Sequence, residues 1–326
     1  MVNRSDFVEI VDCPPDYISQ VLFLEGLSKL VVTSWDGSLS IYDYRDRNNV
    51  VLEVRLVHDT AITCCTESMI DNERCLYVGT VQGEVLKVEL SNGTFIPVSG
   101  SLCNELGICG IFSTRQGQVI TCSWDGYIQV INVLTNSMVK MVKIDKKILV
   151  SDFDGERLIL ATSGNKIVTF DIPLSTDDKG NEVESGLKYQ IRDIKITPQH
   201  DAYVSCSVDG RVAVEYFNDD TKKFAFRCHR ISLSDSQFVF PVNSLCFVPN
   251  SNILYTGGSD GCMSCWNLTS RKKIEQLPKF DENSIVETVC NGDVLCVATS
   301  DDSFKTNPAI FKNIELNPSK LYLLYL

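Results

Sequence analysis

Histidine is scarce in this chain, with three copies (His58, His200, His229) among 326 residues. None falls in a Ser/His/Asp or Cys/His pattern that would pair a nucleophile with its base, and no GxxxxGK[ST] loop is present to cradle a phosphate. Catalysis therefore finds little support, and the chain reads as a non-enzyme without a cofactor. No run of about 18 apolar residues occurs, so no membrane span is expected. The opening MVNRSDFVEIVDC carries charge where a signal peptide needs an apolar stretch, which points to the cytosol or nucleus. Helical 3.6-residue periodicity is missing throughout. Cations are in deficit, 30 Lys and Arg against 42 Asp and Glu, for a net charge of −12. That balance disfavours a general nucleic-acid or anionic-membrane surface, while leaving room for a small local basic site.

Cysteine, by contrast, is plentiful, with 14 copies. Most lie in strand-like runs (Cys64, Cys65, Cys122, Cys206, Cys246, Cys296), where a free thiol acts as a small hydrophobe and implies a reducing compartment. Cys262 and Cys265 form the single CxxC. It lacks the second pair or the nearby histidines that zinc requires, and residues three apart in a strand point to opposite faces.

What organises the chain is a recurring turn. Thr33-Ser34-Trp35-Asp36-Gly37 sits between two short β-leaning runs, and Ser123-Trp124-Asp125-Gly126 repeats it. Asp-Gly between such runs is a strong hairpin signal, because the tight turn needs a positive φ that glycine adopts freely. Weaker copies bring the turn centres to 36, 82, 125, 165, 209, 260 and 302, with steps of 40 to 51 residues. Four-stranded units at that period predict an all-β, seven-bladed WD-repeat propeller over residues 1–326. Two orphan strands, residues 6–11 and 319–326, are expected to complete the last blade together and so remove the exposed sheet edges. The third strands end in a hydrophobic-polar pair such as Tyr42-Asp43 or Trp266-Asn267, where WD repeats carry Trp-Asp. Residues 173–187 (PLSTDDKGNEVESGL) read as a solvated loop, and 301–319 as a longer connection.

A propeller is a scaffold, and its function lies in its loops. Trp35 and Trp124 stand inside tight turns that project beyond the sheet, where tryptophan either packs on a neighbouring loop or forms a binding hot spot. Trp266, at the end of a third strand, reads as packing between blades. Arg211 follows the Asp209-Gly210 turn, and Arg227 lies in the next strand, KKFAFRCHR. Strand alternation puts Arg227 with His229 on one side and Cys228 with Arg230 on the other. Converging arginines suit phosphate through forked hydrogen bonds, unless they pair with carboxylates such as Glu215 or Asp219. Arg192 falls at the junction of blades four and five, facing either a ligand or Asp193 or Asp209.

TSWDGSLSIYD, YVGTVQGEVLKVEL, SWDGYIQVI, SGLKYQIRDI, SVDGRVAVEYF, KKFAFRCHR, PVNSLCF and GGSDGCMSCWNL together resemble the fungal form of a mitotic spindle-checkpoint WD-repeat family, budding-uninhibited-by-benomyl protein three. The likeness runs from near residue 15 to near 312, and DGRVAVEYF followed by KKFAFRCHR is its most specific part. The resemblance implies a non-catalytic adaptor that binds GLEBS segments of a checkpoint kinase and a related partner. It also implies docking on phosphothreonine repeats of the Met-Glu-Leu-Thr type in a kinetochore scaffold. On that resemblance, Trp35, Trp124 and Arg192 match the family's GLEBS contacts, and Arg211 and Arg227 match its phosphothreonine ligands. A nuclear and kinetochore location with a cytosolic pool follows, without nucleic-acid or membrane partners. Contact with an inhibited ubiquitin ligase stays open. The alternative is the sister WD-repeat factor of nuclear-pore messenger-RNA export, which also binds GLEBS segments. The eroded Trp-Asp pairs and the SGNK turn of blade four depart from the general WD pattern.

Overall fold

The computed structural model describes residues 2–70, 73–102, 104–175, 178–280, 283–305 and 316–326. Seven four-stranded antiparallel sheets make a seven-bladed propeller, and no α-helix occurs among the described residues. The first strands of successive blades lie side by side around the axis. They are Ile18–Phe23, Ile62–Ile70, Ile108–Ser113, Ile148–Phe153, Ile191–Ile196, Val242–Phe247 and Ser284–Cys290. Blade seven is built from both ends of the chain: Phe7–Glu9 pairs with Lys320–Tyr325, which pairs with Val294–Ser300. The expected closure by both termini is thus realised, with Phe7 opposite Leu324.

The hydrophobic core lies between blades. Val31, Leu39 and Ile41 of blade one pack on Ile62, Val78 and Leu86 of blade two. Sandwiched sheets bury both faces of their middle strands, so all six residues of Ser38–Asp43 are buried. The outer strand has one neighbour fewer, and Val51–Val57 alternates between exposed and half-buried positions. Each fully buried aliphatic side chain contributes about 1.5–3 kcal/mol. The thirteen described cysteines are all free thiols, with Cys265 buried and Cys262 partly so.

The glycine turns hold one rim together. His58 N donates to Gly37 O at 2.9 Å, Ile144 N to Gly126 O at 3.0 Å, Cys228 N to Gly210 O at 3.0 Å and Phe280 N to Gly261 O at 2.9 Å. Each bond ties a turn to the chain leaving its blade's outer strand. A Cβ at Gly37 (φ +81°) would lie 2.1 Å from His58 O, so the turn needs glycine for space as well as for torsion.

Two segments differ from their sequence reading. Within 173–187, Asn181–Glu184 forms the outer strand of blade four, pairing Val183 with Ile167. All four of its residues are exposed, as an edge strand allows, and this hid it among polar neighbours. After blade five, Arg230–Ser232 and Gln237–Val239 form a small additional hairpin outside the seven blades. Of the connection at 301–319, residues 306–315 lie outside the described residues.

Candidate functional site

Every inner strand carries a one-residue β-bulge at the same place. The register skips Ser19, Thr63, Cys109, Leu149, Arg192, Asn243 and Val286 in turn. A bulge re-aims the extra side chain out of the sheet's alternation. Here all seven point to one place, a cavity of about 300 Å³ at the mouth of the central channel. Four of them staple their blade to the next by donating to the carbonyl just before the bulged residue of the following inner strand. Ser19 reaches Ile62 O (2.6 Å), Thr63 reaches Ile108 O (2.6 Å), Cys109 reaches Ile148 O (3.6 Å) and Asn243 reaches Ile285 O (3.0 Å).

Arg192 breaks that pattern. It is the charged member of the ring, and its buried Nε has no hydrogen-bond partner among the described residues. It is not paired with Asp193 either: that carboxylate accepts from Leu245 N at 2.7 Å and lies 3.8 Å from Lys195 Nζ. Trp35 and Trp124 line the same cavity, so the structure brings all three sequence-selected residues together. Trp35 is 41% exposed, while Trp124 is half-buried. A Cβ on Gly107 would lie 2.6 Å from Trp124 Cζ3, so the ring lies directly against the glycine backbone. Tyr17 and Lys305 complete the mouth, and neither was singled out by the sequence. Lys305 Nζ donates to Tyr17 OH at 2.5 Å, and Tyr17 meets Phe304 edge-on at 5.6 Å. Burial, helped by the Arg192 charge, brings the Lys305 ammonium down to about 8.

Deeper in the channel the charges compensate one another. Lys195 lies 3.8 Å from both Asp152 and Asp193. Burial opposes its charge, but the two carboxylates outweigh it and hold the lysine protonated. Glu287 is also buried, and its carboxyl is pushed up to about 8 by desolvation, only partly offset by Lys195.

Arg211 and Arg227 lie elsewhere on blade five. They are direct cross-strand partners in the Arg211–Tyr216 and Phe224–Arg227 strands, and both are accessible to solvent. Arg211 Nε is 2.9 Å from Asp209 Oδ2, so its carboxylate neighbour is the turn aspartate and not Glu215 or Asp219. Arg227 has no carboxylate partner among the described residues. Beside it opens a second cavity of about 400 Å³, also lined by Arg230, Lys273 and Lys279. Arg230 donates to Asp209 O (2.6 Å) and Gln237 Oε1 (3.2 Å), both neutral acceptors, and has no carboxylate partner among the described residues.

His229 does not stand beside Arg227. The strand ends at Arg227, and His229 takes φ +49°, which breaks the alternation and turns its ring inward. There Trp266 Nε1 donates to Thr256 Oγ1 (3.1 Å), which contacts His229 Nε2 (3.0 Å), while His229 Nδ1 contacts Asp260 Oδ1 (2.9 Å). Trp266 also packs on Phe226 of blade five, with ring centroids 4.4 Å apart.

The model of the WD domain, G-beta repeat, matches residues 227–267, the stretch that contains this network. The mitotic checkpoint protein BUB3.1 of Arabidopsis thaliana is 29% identical over 303 residues, covering 90% of this chain and 86% of that protein. The spindle assembly checkpoint protein bub3 of Schizosaccharomyces pombe is 30% identical over 294 residues, covering 87% and 88%. The poly(A)+ RNA export protein of the same yeast is 26% identical, covering 97% and 89%. Among solved structures, that of U3-55K superposes with a TM-score of 0.79 over 99% of both chains at 15% identity, a likeness of fold alone. With the WD repeat, the seven-bladed ring and the near full-length match to the fission-yeast protein, the chain belongs to the Bub3 family of mitotic-checkpoint WD-repeat proteins.

Proposed function

We propose that the protein is a non-catalytic adaptor that binds two peptides. A GLEBS segment of a checkpoint kinase or its relative covers the channel mouth against Trp35, Trp124 and Arg192. A phosphothreonine of a kinetochore scaffold repeat sits between Arg211 and Arg227, so that phosphorylation recruits the kinase to the kinetochore. Phosphate suits such a switch because it adds about −1.5 to −2 charges and three strong acceptors.

The observation that carries this reading is Arg192. Four other polar residues at the same bulge position are spent on inter-blade hydrogen bonds, whereas its guanidinium faces the cavity with a buried Nε that has no hydrogen-bond partner among the described residues. A buried unsatisfied donor is costly, and an incoming acceptor on a ligand would relieve it.

Titration with a synthetic GLEBS peptide tests the reading. Arg192→Ala should weaken binding by about 1.5–3 kcal/mol, the range for a charge-assisted hydrogen bond. Removing either tryptophan should cost about 2 kcal/mol or more, as for an interface hot spot. Unchanged affinity in all three variants would refute it. The messenger-RNA export reading draws on the match to the export protein over 97% of the chain, and it requires the GLEBS site without the phosphothreonine site.

A further inference from the structure

We infer that Ser232, on the small hairpin after blade five, is a phosphorylation site whose phosphate is held by Arg230 and turns down phosphothreonine binding. The inference rests on reading Arg211 and Arg227 as the phosphothreonine site, and it adds a control of that site from within the chain. The hairpin pairs Arg230 with Val239, Ile231 with Phe238 and Ser232 with Gln237. Directly paired residues share a face, as do alternate residues of one strand, so Arg230, Ser232, Gln237 and Val239 stand together. That face leans on the turn that presents Arg211. A Cβ on Gly210 would lie 3.0 Å from Val239 Cγ1, and Arg230 donates to Asp209 O at 2.6 Å.

One carboxamide separates the Ser232 hydroxyl from Arg230. Gln237 Nε2 donates to Ser232 Oγ at 3.2 Å, and Gln237 Oε1 accepts from Arg230 Nη1 at 3.2 Å. A phosphate on Ser232 is similar in size to that carboxamide and would take its place between the two. It would meet a guanidinium with no carboxylate partner among the described residues, beside Arg227, Lys273 and Lys279 at the second cavity. Charge-assisted bonds to such a group hold a phosphate well. The other two serines of the hairpin lack this setting. Ser234 Oγ donates to the Asp235 carboxylate at 3.3 Å, and Ser236 sits in the same tip, where its carbonyl accepts from Leu233 N at 2.9 Å.

The serine is open to a kinase. Residues 231–239 are all exposed. A two-stranded ribbon outside the blades is marginally stable by itself, so it can open into the extended chain that a kinase active site takes. Asp235, three residues on, offers a carboxylate to a basic substrate groove. With ATP as donor, Ser232 Oγ attacks the γ-phosphorus. The Oγ–P bond forms as the bond to the bridging oxygen of the departing ADP breaks, and the hydroxyl proton passes to the kinase's base. The product carries about −1.5 to −2 charges next to the Arg211 turn. It compensates Arg230 and repels an incoming phosphothreonine on the same rim.

The test is the full chain with phosphoserine encoded at position 232, titrated calorimetrically with a Met-Glu-Leu-phosphothreonine peptide and with a GLEBS peptide. The phosphorylated chain should bind the phosphothreonine peptide about tenfold more weakly at low salt, with the loss shrinking in about 1 M salt and GLEBS affinity unchanged. Phosphoserine at position 234 should cost less. A phosphatase should release the Ser232 phosphate several-fold more slowly from the wild-type background than from Arg230→Met, and Arg230→Lys should keep part of that protection. Mass spectrometry of the chain isolated from its own dividing cells should find the phosphate on Ser232. Equal phosphothreonine affinities with and without the phosphate, equal phosphatase rates, or an unphosphorylated Ser232 in every growth state would each overturn the inference while leaving the phosphothreonine site standing. If the unphosphorylated chain did not bind the phosphothreonine peptide, that reading would fall, and the control of the site with it.

Discussion

Arg211 and Arg227 are Cα partners on neighbouring antiparallel strands, so two like charges face each other across one side of blade five. Opposed like charges destabilise a sheet by up to about 1 kcal/mol, and one of the two is only partly balanced by Asp209. Arg227→Ala should therefore leave folding stability unchanged or raise it by a few tenths of a kcal/mol, read from urea unfolding. The same variant should cost about 1.5–3 kcal/mol in binding a phosphothreonine peptide, read by titration. Lysine at either position should not fully rescue binding, because it presents a point charge where a fork is needed.

The His229–Thr256–Trp266 network is structural. Thr256 is fully buried and its hydroxyl contacts both the imidazole and the indole. Thr256→Val keeps the shape but strands both ring nitrogens, at about 1–3 kcal/mol for a buried unsatisfied group. Chemical denaturation should show that loss, and GLEBS and phosphopeptide affinities of the folded variant should match wild type.

Glu287 makes a pH prediction. Its folded pKa, about 8, lies above the ordinary 4.5, so the folded state holds the proton more tightly than the unfolded chain. The stability this group contributes is full below about pH 4.5 and is lost as pH rises toward 8. Glu287→Gln mimics the protonated form. Its stability should match wild type at pH 4 and exceed it by on the order of 1–3 kcal/mol at pH 8. Melting temperatures across that range check it, and a gain confined to low pH would contradict it.

The fold was legible because its signals are local. Asp-Gly turns announce themselves by chemistry, and even the irregular SGNK turn proves a tight turn with Gly164 and Asn165 both at positive φ. The three residues Trp35, Trp124 and Arg192 were legible as candidates because tryptophan in a projecting turn and arginine at a blade junction are locally unusual. The bulges that aim Arg192 were not. They are register shifts between strands, and residues as different as Ser19, Leu149 and Val286 occupy the bulged position. Lys305 was missed because its neighbours in space, Tyr17 and Arg192, are remote in the chain. The exposed edge strand Asn181–Glu184 and the hairpin at 230–239 lacked alternation between buried and exposed residues, which is what marks a strand in sequence.

One titration bears on the whole proposal: calorimetry of the purified protein with a Met-Glu-Leu-phosphothreonine peptide, with and without saturating GLEBS peptide, and with Arg211→Ala alongside. Binding that needs the phosphate, survives or tightens with GLEBS peptide present and disappears in the variant is the predicted result. GLEBS binding without any phosphopeptide binding would contradict the phosphothreonine-reading role and move the protein toward messenger-RNA export.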